Sequence, residues 1–477
     1  MLPHRFRWAL LLAASCGFYM SFIPVYILIL FITIAIDYFA AIRIERTTGK
    51  RKKAWLVWSI ISTCVVLFVF KYYNFFNINV HYAAHFLGLN YPVPLMKIIL
   101  PLGLSFHTFQ SLSYVIEVYR GNQKAEHHFG IYALYVMFYP QLVAGPIERP
   151  QNLLHQFREK HFFEYRRVTD GLKLIAWGMF KKVVIADRLG LIVDPVYADP
   201  AGHNGVNFLV AAVAFTFQLY CDFSAYSDIA IGAAQIMGFK LMENFNRPNH
   251  AHSISEFYKR WHISLTTWLK DYIYVPLGGN RVSVPRWYFN IFFTFFISGL
   301  WHGAAWTYVI WGSLNGIFIL LGIATKPFRT RVVQTIGLDR APKVHGAVQL
   351  FITFCLVGFS RIFFRANNAE DAFYIIRHLF DGVGDFLKNV ASNLGSLGSG
   401  AALLQPIFMT QTKTDFFITV AVVCLLETFH AIQRHQRIRH MLSERPAWFR
   451  WSVYYAFMIG ILCFGVFNSS RFIYFQF

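Results

Sequence analysis

An all-α, polytopic bundle of membrane-spanning helices is the fold class this sequence predicts, and three observations predict it. Of its 477 residues, 56% are hydrophobic and only 14% charged, against roughly 25% charged in an average soluble domain. The apolar residues come in long blocks, the pattern of membrane spans and not of one large core. The basic residues, which give a net charge of +20, cluster in short loops between those blocks.

The first block, 8–42, starts behind "MLPHRFRWALLLAASCGFYM", whose basic start and apolar run imitate a secretion signal. Its hydrophobicity continues through Val25–Ile42, so it reads as a retained helical hairpin kinked near Pro24. The blocks that follow are 54–70, 129–147, 206–221, 287–300, 304–325, 346–364, 416–430 and 451–468. A straight span takes roughly 20 apolar residues. The shorter blocks therefore imply tilted, broken or re-entrant helices. No repeat, linker or soluble segment interrupts them, so 1–477 reads as a single integral-membrane domain.

The loops orient the bundle. "RIERTTGKRKK" (43–53), Lys326–Lys343 and Arg434–Arg450 are basic and belong in the cytoplasm by the positive-inside rule. The stretch 72–96 has no Lys or Arg and 383–412 has only Lys388, so both face outward. Topology and contact with anionic lipid explain the net charge, and no nucleic-acid partner is implied. The six cysteines (16, 64, 221, 355, 424, 463) lie in or beside apolar blocks without a CxxC pair. They read as small buried residues, not disulfides or zinc ligands.

Three segments depart from plain spans. In "HSISEFYKRWHISLTTWLKDYIYVPLGGNR" (252–281), Ser253 and Glu256 form a capping box, and Pro276 with Gly278–Gly279 marks a stop. Between them Phe257, Trp261, Leu265, Trp268 and Leu269 fall three or four apart, while Lys259, Arg260 and Lys270 lie elsewhere around the helix. A basic amphipathic helix of this kind belongs at the cytoplasmic membrane interface. "LPLGLSFHTFQSLSYVIEVYRG" (100–121) and "YPQLVAGPIERP" (139–150) are hydrophobic yet broken by Pro, Gly and hydroxyls. Irregular backbone at membrane depth survives only beside protein or a water-filled cavity. These segments predict a polar cavity inside the bundle.

His302 is the leading candidate for chemistry. In "ISGLWHGAAW" (297–306) an ionisable ring sits between apolar blocks, with tryptophans at 301, 306 and 311. Gly299 and Gly303 allow close backbone approach. The spacing puts His302 at a turn within the membrane region. Such a histidine either hydrogen-bonds across helices or carries function, and intramembrane ionisable groups are functional by default. His262, beside Trp261, is second; the plain alternative is a solvated ring on an interfacial helix. Asp271 follows two and a half turns later and points away from His262 on a regular helix. In "QLYCDFSAYSDIAIG" (218–232), Asp222, Ser224, Tyr226, Ser227 and Asp228 sit between apolar runs. They either pair with Lys or Arg or line a substrate or proton path. G-x-S-x-G, P-loop and H-E-x-x-H motifs are absent, which removes support for nucleotide-driven transport and zinc proteolysis. At this level an enzyme using histidine as general base and a proton-coupled transporter remain equal readings.

Four motifs in order narrow the choice. "YPQLVAGPIERP", "CDFSAYSDIAIG", "EFYKRWHISLTTWLKDYIYVPLGGNR" and "SGLWHGAAWTYVIWGSLNG" resemble the membrane-bound O-acyltransferase family over about residues 97–320. The terminal "FIYFQF" (472–477) also resembles its bacterial alginate O-acetylation branch. The resemblance implies the family's helical bundle around a central cavity, with His302 as catalytic residue and His262 as second functional position. Asp222, Ser224, Tyr226, Asp228, Trp261, Asp271, Trp301, Trp306 and Asn315 are its candidate cavity-lining residues. It further implies a cytoplasmic thioester donor, acetyl-CoA for this branch, and no metal. The implied partners are the lipid bilayer, an exported SGNH-type acetyltransferase and a polysaccharide as final acceptor. The implied location is the bacterial cytoplasmic (inner) membrane. D-alanyl or other acyl transfer to a cell-wall polymer is the alternative within the family, and transport of acylated intermediates the alternative outside it. Many family members carry another hydrophobic segment before a run like "LLLAAS", whereas this sequence starts at Met1, which touches the helix count and none of the motifs.

Overall fold

The structure is a computed structural model that describes residues 3–393, 405–409, 411–433, 438–467 and 472–473. Residues 474–477 of "FIYFQF", 434–437 of the last basic loop, and 394–404 and 410 of the outward-facing stretch lie outside the described residues. The main elements are α1 (His4–Met20), α2 (Ile27–Arg46), α3 (Gly49–Phe86), α4 (Leu104–Arg120), α5 (Phe129–Met137), α6 (Tyr165–Met179), α7 (Asp187–Ala198) and α8 (Gly205–Met237). They continue with α9 (Ile254–Arg260), α10 (Ile263–Leu269), α11 (Val284–His302), α12 (Trp306–Ala324), α13 (Pro342–Arg365), α14 (Ala369–Arg377), α15 (Lys413–Ile432) and α16 (Ala447–Phe464). No strand occurs among the described residues. Seven helices there, counting the short turn at Pro24 with α2, are long and apolar enough to cross a membrane. The chain is a multi-pass, all-α membrane protein.

The elements follow the apolar blocks with instructive differences. The first block is a hairpin whose arms α1 and α2 part at Pro24, as its sequence requires. The second runs to 38 residues because a π-helical segment, Phe68–Tyr72, carries α3 past Lys71 without a break. The block 206–221 extends into a 33-residue helix, so the aspartates of "CDFSAYSDIAIG" sit inside α8 and not in a loop. The patch 100–121 is irregular only up to Gly103. From Leu104 it is one regular, buried helix whose serines and threonines are absorbed in packing. Gly103 adopts φ +73°, and a side chain there would meet the Leu142 carbonyl at 2.6 Å. That close approach fixes where α4 begins.

Two compact units make up the chain. The first comprises Met1–Leu172, Ile229–Asn244 and His262–Pro276. Its core includes Tyr114, Tyr132, Tyr135, Met137 and Phe138, all fully buried. Asp37 is also fully buried there and accepts hydrogen bonds from Ser59 (2.6 Å) and Thr63 (3.1 Å). The second comprises Lys173–Asp228, Phe245–Trp261 and Leu277–Phe477. In it α11 and α12 form a tight hairpin whose contact is glycine on glycine, Gly299 against Gly312. Small residues of this kind let helix backbones touch in a membrane, where packing substitutes for a hydrophobic driving force. The cysteines are all free, as expected, but only Cys221 is buried; Cys64, Cys355, Cys424 and Cys463 are exposed on apolar helix faces. The sequence gives an apolar neighbourhood, and such a neighbourhood includes lipid-facing positions.

Candidate active site

His302 is the last residue of α11, and extended backbone at Gly303 turns the chain toward α12. The ring is 4% exposed. Trp301, Trp311 and Phe364 stand edge-on around it, with centroids at 5.0, 4.9 and 5.5 Å. Gly303 accounts for the tightness, since a side chain there would overlap the Tyr308 ring. His302 borders a cavity of about 10 Å³ lined also by Leu219, Phe257, Tyr258, Trp261, Trp311, Val357, Ser360, Arg361 and Phe364. That volume holds about one water or one carbonyl oxygen.

One wall of the cavity is cationic. Arg361 is 3% exposed and donates from Nη1 to the Thr216 carbonyl at 2.7 Å. Its guanidinium lies 4.6 Å from the Trp261 ring centroid and 5.5 Å from that of Phe257. Stacking between aromatic faces is an arrangement suited to arginine's flat, weakly hydrated cation. Arg361 interrupts the apolar block 346–364, so the rule that singled out His302 also applies to it. A deep positive charge facing a small cavity favours negative charge developing on an oxygen there.

His262 occupies a different setting from the one its helical pattern predicts. The amphipathic helix is not continuous: α9 ends at Arg260 and α10 begins at Ile263. His262 sits in the break with φ +43°, a left-handed conformation that costs a non-glycine residue about 1 kcal/mol or more. The ring is 1% exposed, which removes the solvated reading. Its stripe neighbours Phe257, Trp261, Leu265, Trp268 and Leu269 are all buried as well. Half of the capping box forms, with Ser253 Oγ accepting from Glu256 N at 3.1 Å, while the return bond to Glu256 comes from the residue before the cap. The Glu256 carboxylate in turn accepts from His252 N and Arg260.

Asn244 holds His262 in place. Its Oδ1 accepts from Ser264 N (3.2 Å) and Ser264 Oγ (2.8 Å), which fixes the oxygen's position. The same atom lies 3.1 Å from His262 Nδ1, so Nδ1 carries the proton and Nε2 is the basic nitrogen. Phe106 stacks on the imidazole at 6.2 Å. Asn244 lies outside the four motifs, and only its polarity near an apolar segment hints at a role.

The remaining candidates divide. Asp222 pairs with Lys182 at 2.8 Å and Asp228 with Lys181 at 2.8 Å; Ser224 accepts from Lys181 at 2.7 Å. The backbone N–H of Ile473 also reaches Asp222. These carboxylates serve buried ion pairs, and the lysines belong to the π-helical segment Phe180–Ala186 between α6 and α7. Lys182 also pairs with Asp187 at 2.8 Å, so it is removal of Lys182 that would strand buried carboxylates, a change worth roughly 3–5 kcal/mol. Tyr226 packs edge-on against Phe472. Asp271 is half exposed and pairs with Arg149 at 3.5 Å. Asn315 is buried and donates to the Trp311 carbonyl at 2.7 Å, which ties down one cavity wall from the turn below. Trp301 packs behind His302 and Trp261 lines the cavity, but Trp306 opens α12 at 54% exposure and is outside the lining.

Comparison with known proteins adds the family. The family model "MBOAT, membrane-bound O-acyltransferase family" matches residues 123–363. The chain is 39% identical to the probable alginate O-acetylase AlgI of Pseudomonas aeruginosa, over 84% of this chain and 75% of that protein. It is 32% identical to the peptidoglycan O-acetyltransferase of Helicobacter pylori, over 98% of this chain and 91% of that protein. Similarity to the teichoic acid D-alanyltransferase of Streptococcus thermophilus is 28%, over 55% of this chain and 68% of that protein.

Proposed function

The chain belongs to the membrane-bound O-acyltransferase family, and on that premise we propose that it supplies acetyl groups for O-acetylation of an exported polysaccharide. Residues 1–477 act as one acyltransferase domain of the bacterial cytoplasmic membrane, a proposal supported by α8 contributing residues to both units. The donor is an acyl thioester, acetyl-CoA, delivered from the cytoplasmic side. The acceptor chain is reached through an exported SGNH-type acetyltransferase. Acetyl is favoured over D-alanyl because the relatives named for O-acetylation match far more of the chain.

The observation that carries the proposal is a buried imidazole and a buried guanidinium on one small aromatic cavity. In the reaction, a hydroxyl loses its proton to His302 as its oxygen bonds to the thioester carbonyl carbon. The carbonyl electrons move onto oxygen, where the Arg361 cation stabilises them. The C–S bond then breaks, and the thiolate takes the proton back from the imidazolium. The surrounding rings keep out water that would otherwise hydrolyse the thioester. His262, whose Nδ1 is held by Asn244 so that Nε2 is the basic nitrogen, serves the passage of donor or acceptor as a second proton-accepting site. Asp222, Ser224 and Asp228 support the scaffold through their lysines.

The test is genetic. A strain lacking the gene is complemented with the wild type or with His302→Ala at matched membrane levels, and ester-linked acetyl on its exported glycans is measured. The proposal expects ester acetyl to return with the wild type alone. Restoration by His302→Ala would overturn the catalytic assignment, and D-alanyl ester in place of acetyl would overturn the donor.

A further inference from the structure

A second cluster in the second unit lies apart from the His302 cavity. His250, Glu427 and His430 offer three ligand atoms, all within 4.8 Å of one another. His250 Nε2 is 2.6 Å from Glu427 Oε2, and His430 Nδ1 is 3.2 Å from Glu427 Oε1. Glu427 and His430 are three residues apart on α15, so a regular helix presents both on one face. His250 comes from 177 residues away in sequence, on the short turn Pro248–His250.

We propose that these three side chains bind a divalent transition-metal ion, Zn²⁺ by preference. Two imidazoles and one carboxylate are a recurrent zinc donor set, with a fourth position left open. Two nitrogen donors out of three disfavour Mg²⁺ and Ca²⁺, which select oxygen. The outer contacts suit a ligand histidine: His430 Nε2 lies 3.1 Å from Tyr220 Oη. With Nε2–H donating to that oxygen, Nδ1 presents its lone pair to the metal, and the ring's orientation is fixed. Access differs among the ligands in a useful way. His430 is buried, while the Glu427 side chain is 32% exposed, so an ion can enter from that side. Lys181 lies 5.9 Å from the Tyr220 ring, and Asp228 neutralises it at 2.8 Å.

The position gives the ion a purpose. His250 lies three residues before the Ser253 cap of α9, and α9 supplies Phe257 and Tyr258 to the wall of the His302 cavity. A metal bridging His250 to α15 clips that wall to a membrane-spanning helix. The ion acts as a brace and takes no part in the acyl-transfer step, so its existence does not depend on the assignment of His302.

The experiment uses the full-length protein in detergent, freed of any purification tag and stripped with chelator. Co²⁺ is titrated in and the visible absorption of tetrahedral Co²⁺ is followed, then Zn²⁺ is added in competition. The expected result is one equivalent bound per chain and displaced by Zn²⁺, with binding lost in Glu427→Gln and in His250→Ala. Tyr220→Phe is expected to weaken affinity by roughly 10–100-fold. His252→Ala, at a neighbouring histidine that bonds the Gly346 carbonyl, leaves binding unchanged. Metal-free melting curves of each variant establish that it is folded. No binding by folded wild type, or binding that survives in both Glu427→Gln and His250→Ala, would overturn the proposal.

Discussion

Gly312→Ala tests whether the position of the α11–α12 hairpin governs activity. A β-carbon at Gly312 would lie 2.5 Å from the Phe295 carbonyl oxygen and 2.8 Å from the Gly299 Cα. Both obstacles are backbone, so no side chain can swing aside. Reaching 3.0 Å from the oxygen requires the helices to part by about 0.5 Å, and ordinary contact near 3.4 Å requires about 0.9 Å. Overpacking of this kind costs about 1–3 kcal/mol, partly offset by the roughly 0.4–1 kcal/mol that Ala gains over Gly in a helix. Gly299 is one turn before His302 and Gly312 follows Trp311 directly, so the shift reaches both His302 and a cavity wall. A displacement near 1 Å can cost about 100-fold in rate. The expectation is a 10–100-fold fall in acyl transfer with a modest fall in thermal midpoint. Gly322→Ala, in the same helix with nothing within 4 Å of the new carbon, is the control and keeps full activity. Assays of acyl transfer and melting in the same detergent check both. A Gly312→Ala protein as active as wild type would refute the claim that this hairpin sets the site.

Three further outcomes follow from other parts of the structure. Arg361→Gln is expected to lower the rate by 10²–10³-fold, as loss of an oxyanion donor does, with Arg361→Lys recovering part of it; initial rates at saturating donor check this. Asn244→Ala frees His262 to rotate, so it is expected to lower transfer while adding little to His262→Ala, a non-additivity measured by a double-mutant cycle. Glu148 gives a pH signature. Burial, opposed by a hydrogen bond from Met242 N and by Arg149, pushes its pKa up to about 7. The native state thus holds a proton that the unfolded chain releases at lower pH. The resulting stability is present in acid and is lost as pH rises through about 7. Glu148→Gln is expected to flatten that part of the stability–pH curve, read by melting between pH 5 and 8.

The fold was largely legible because membrane helices write themselves as apolar blocks, and every block holds a helix, although 129–147 is helical only as far as Met137. His302 was legible for the same reason inverted: an ionisable ring in such a block stands out. Arg361 stood in a block too, but an arginine near a helix end reads as ordinary flanking charge until its stacking on Trp261 is seen. The break at His262 was hidden because left-handed backbone at a histidine carries no glycine or proline marker. Its periodic stripe survived the break intact, so periodicity alone could not reveal it. The lysine partners of Asp222 and Asp228 were equally hidden, since pairing across 40 residues or more leaves no local pattern.

Acyl transfer in the proposed function turns on His302. Purified wild type and His302→Ala, both shown folded by melting, are incubated with radiolabelled acetyl-CoA and an acceptor preparation containing the exported partner. Label reaching the acceptor and free CoA are followed together. Wild-type turnover with label on the acceptor is expected, and none above background for His302→Ala. Equal turnover by the two proteins would rule out His302 as the residue that carries the transfer.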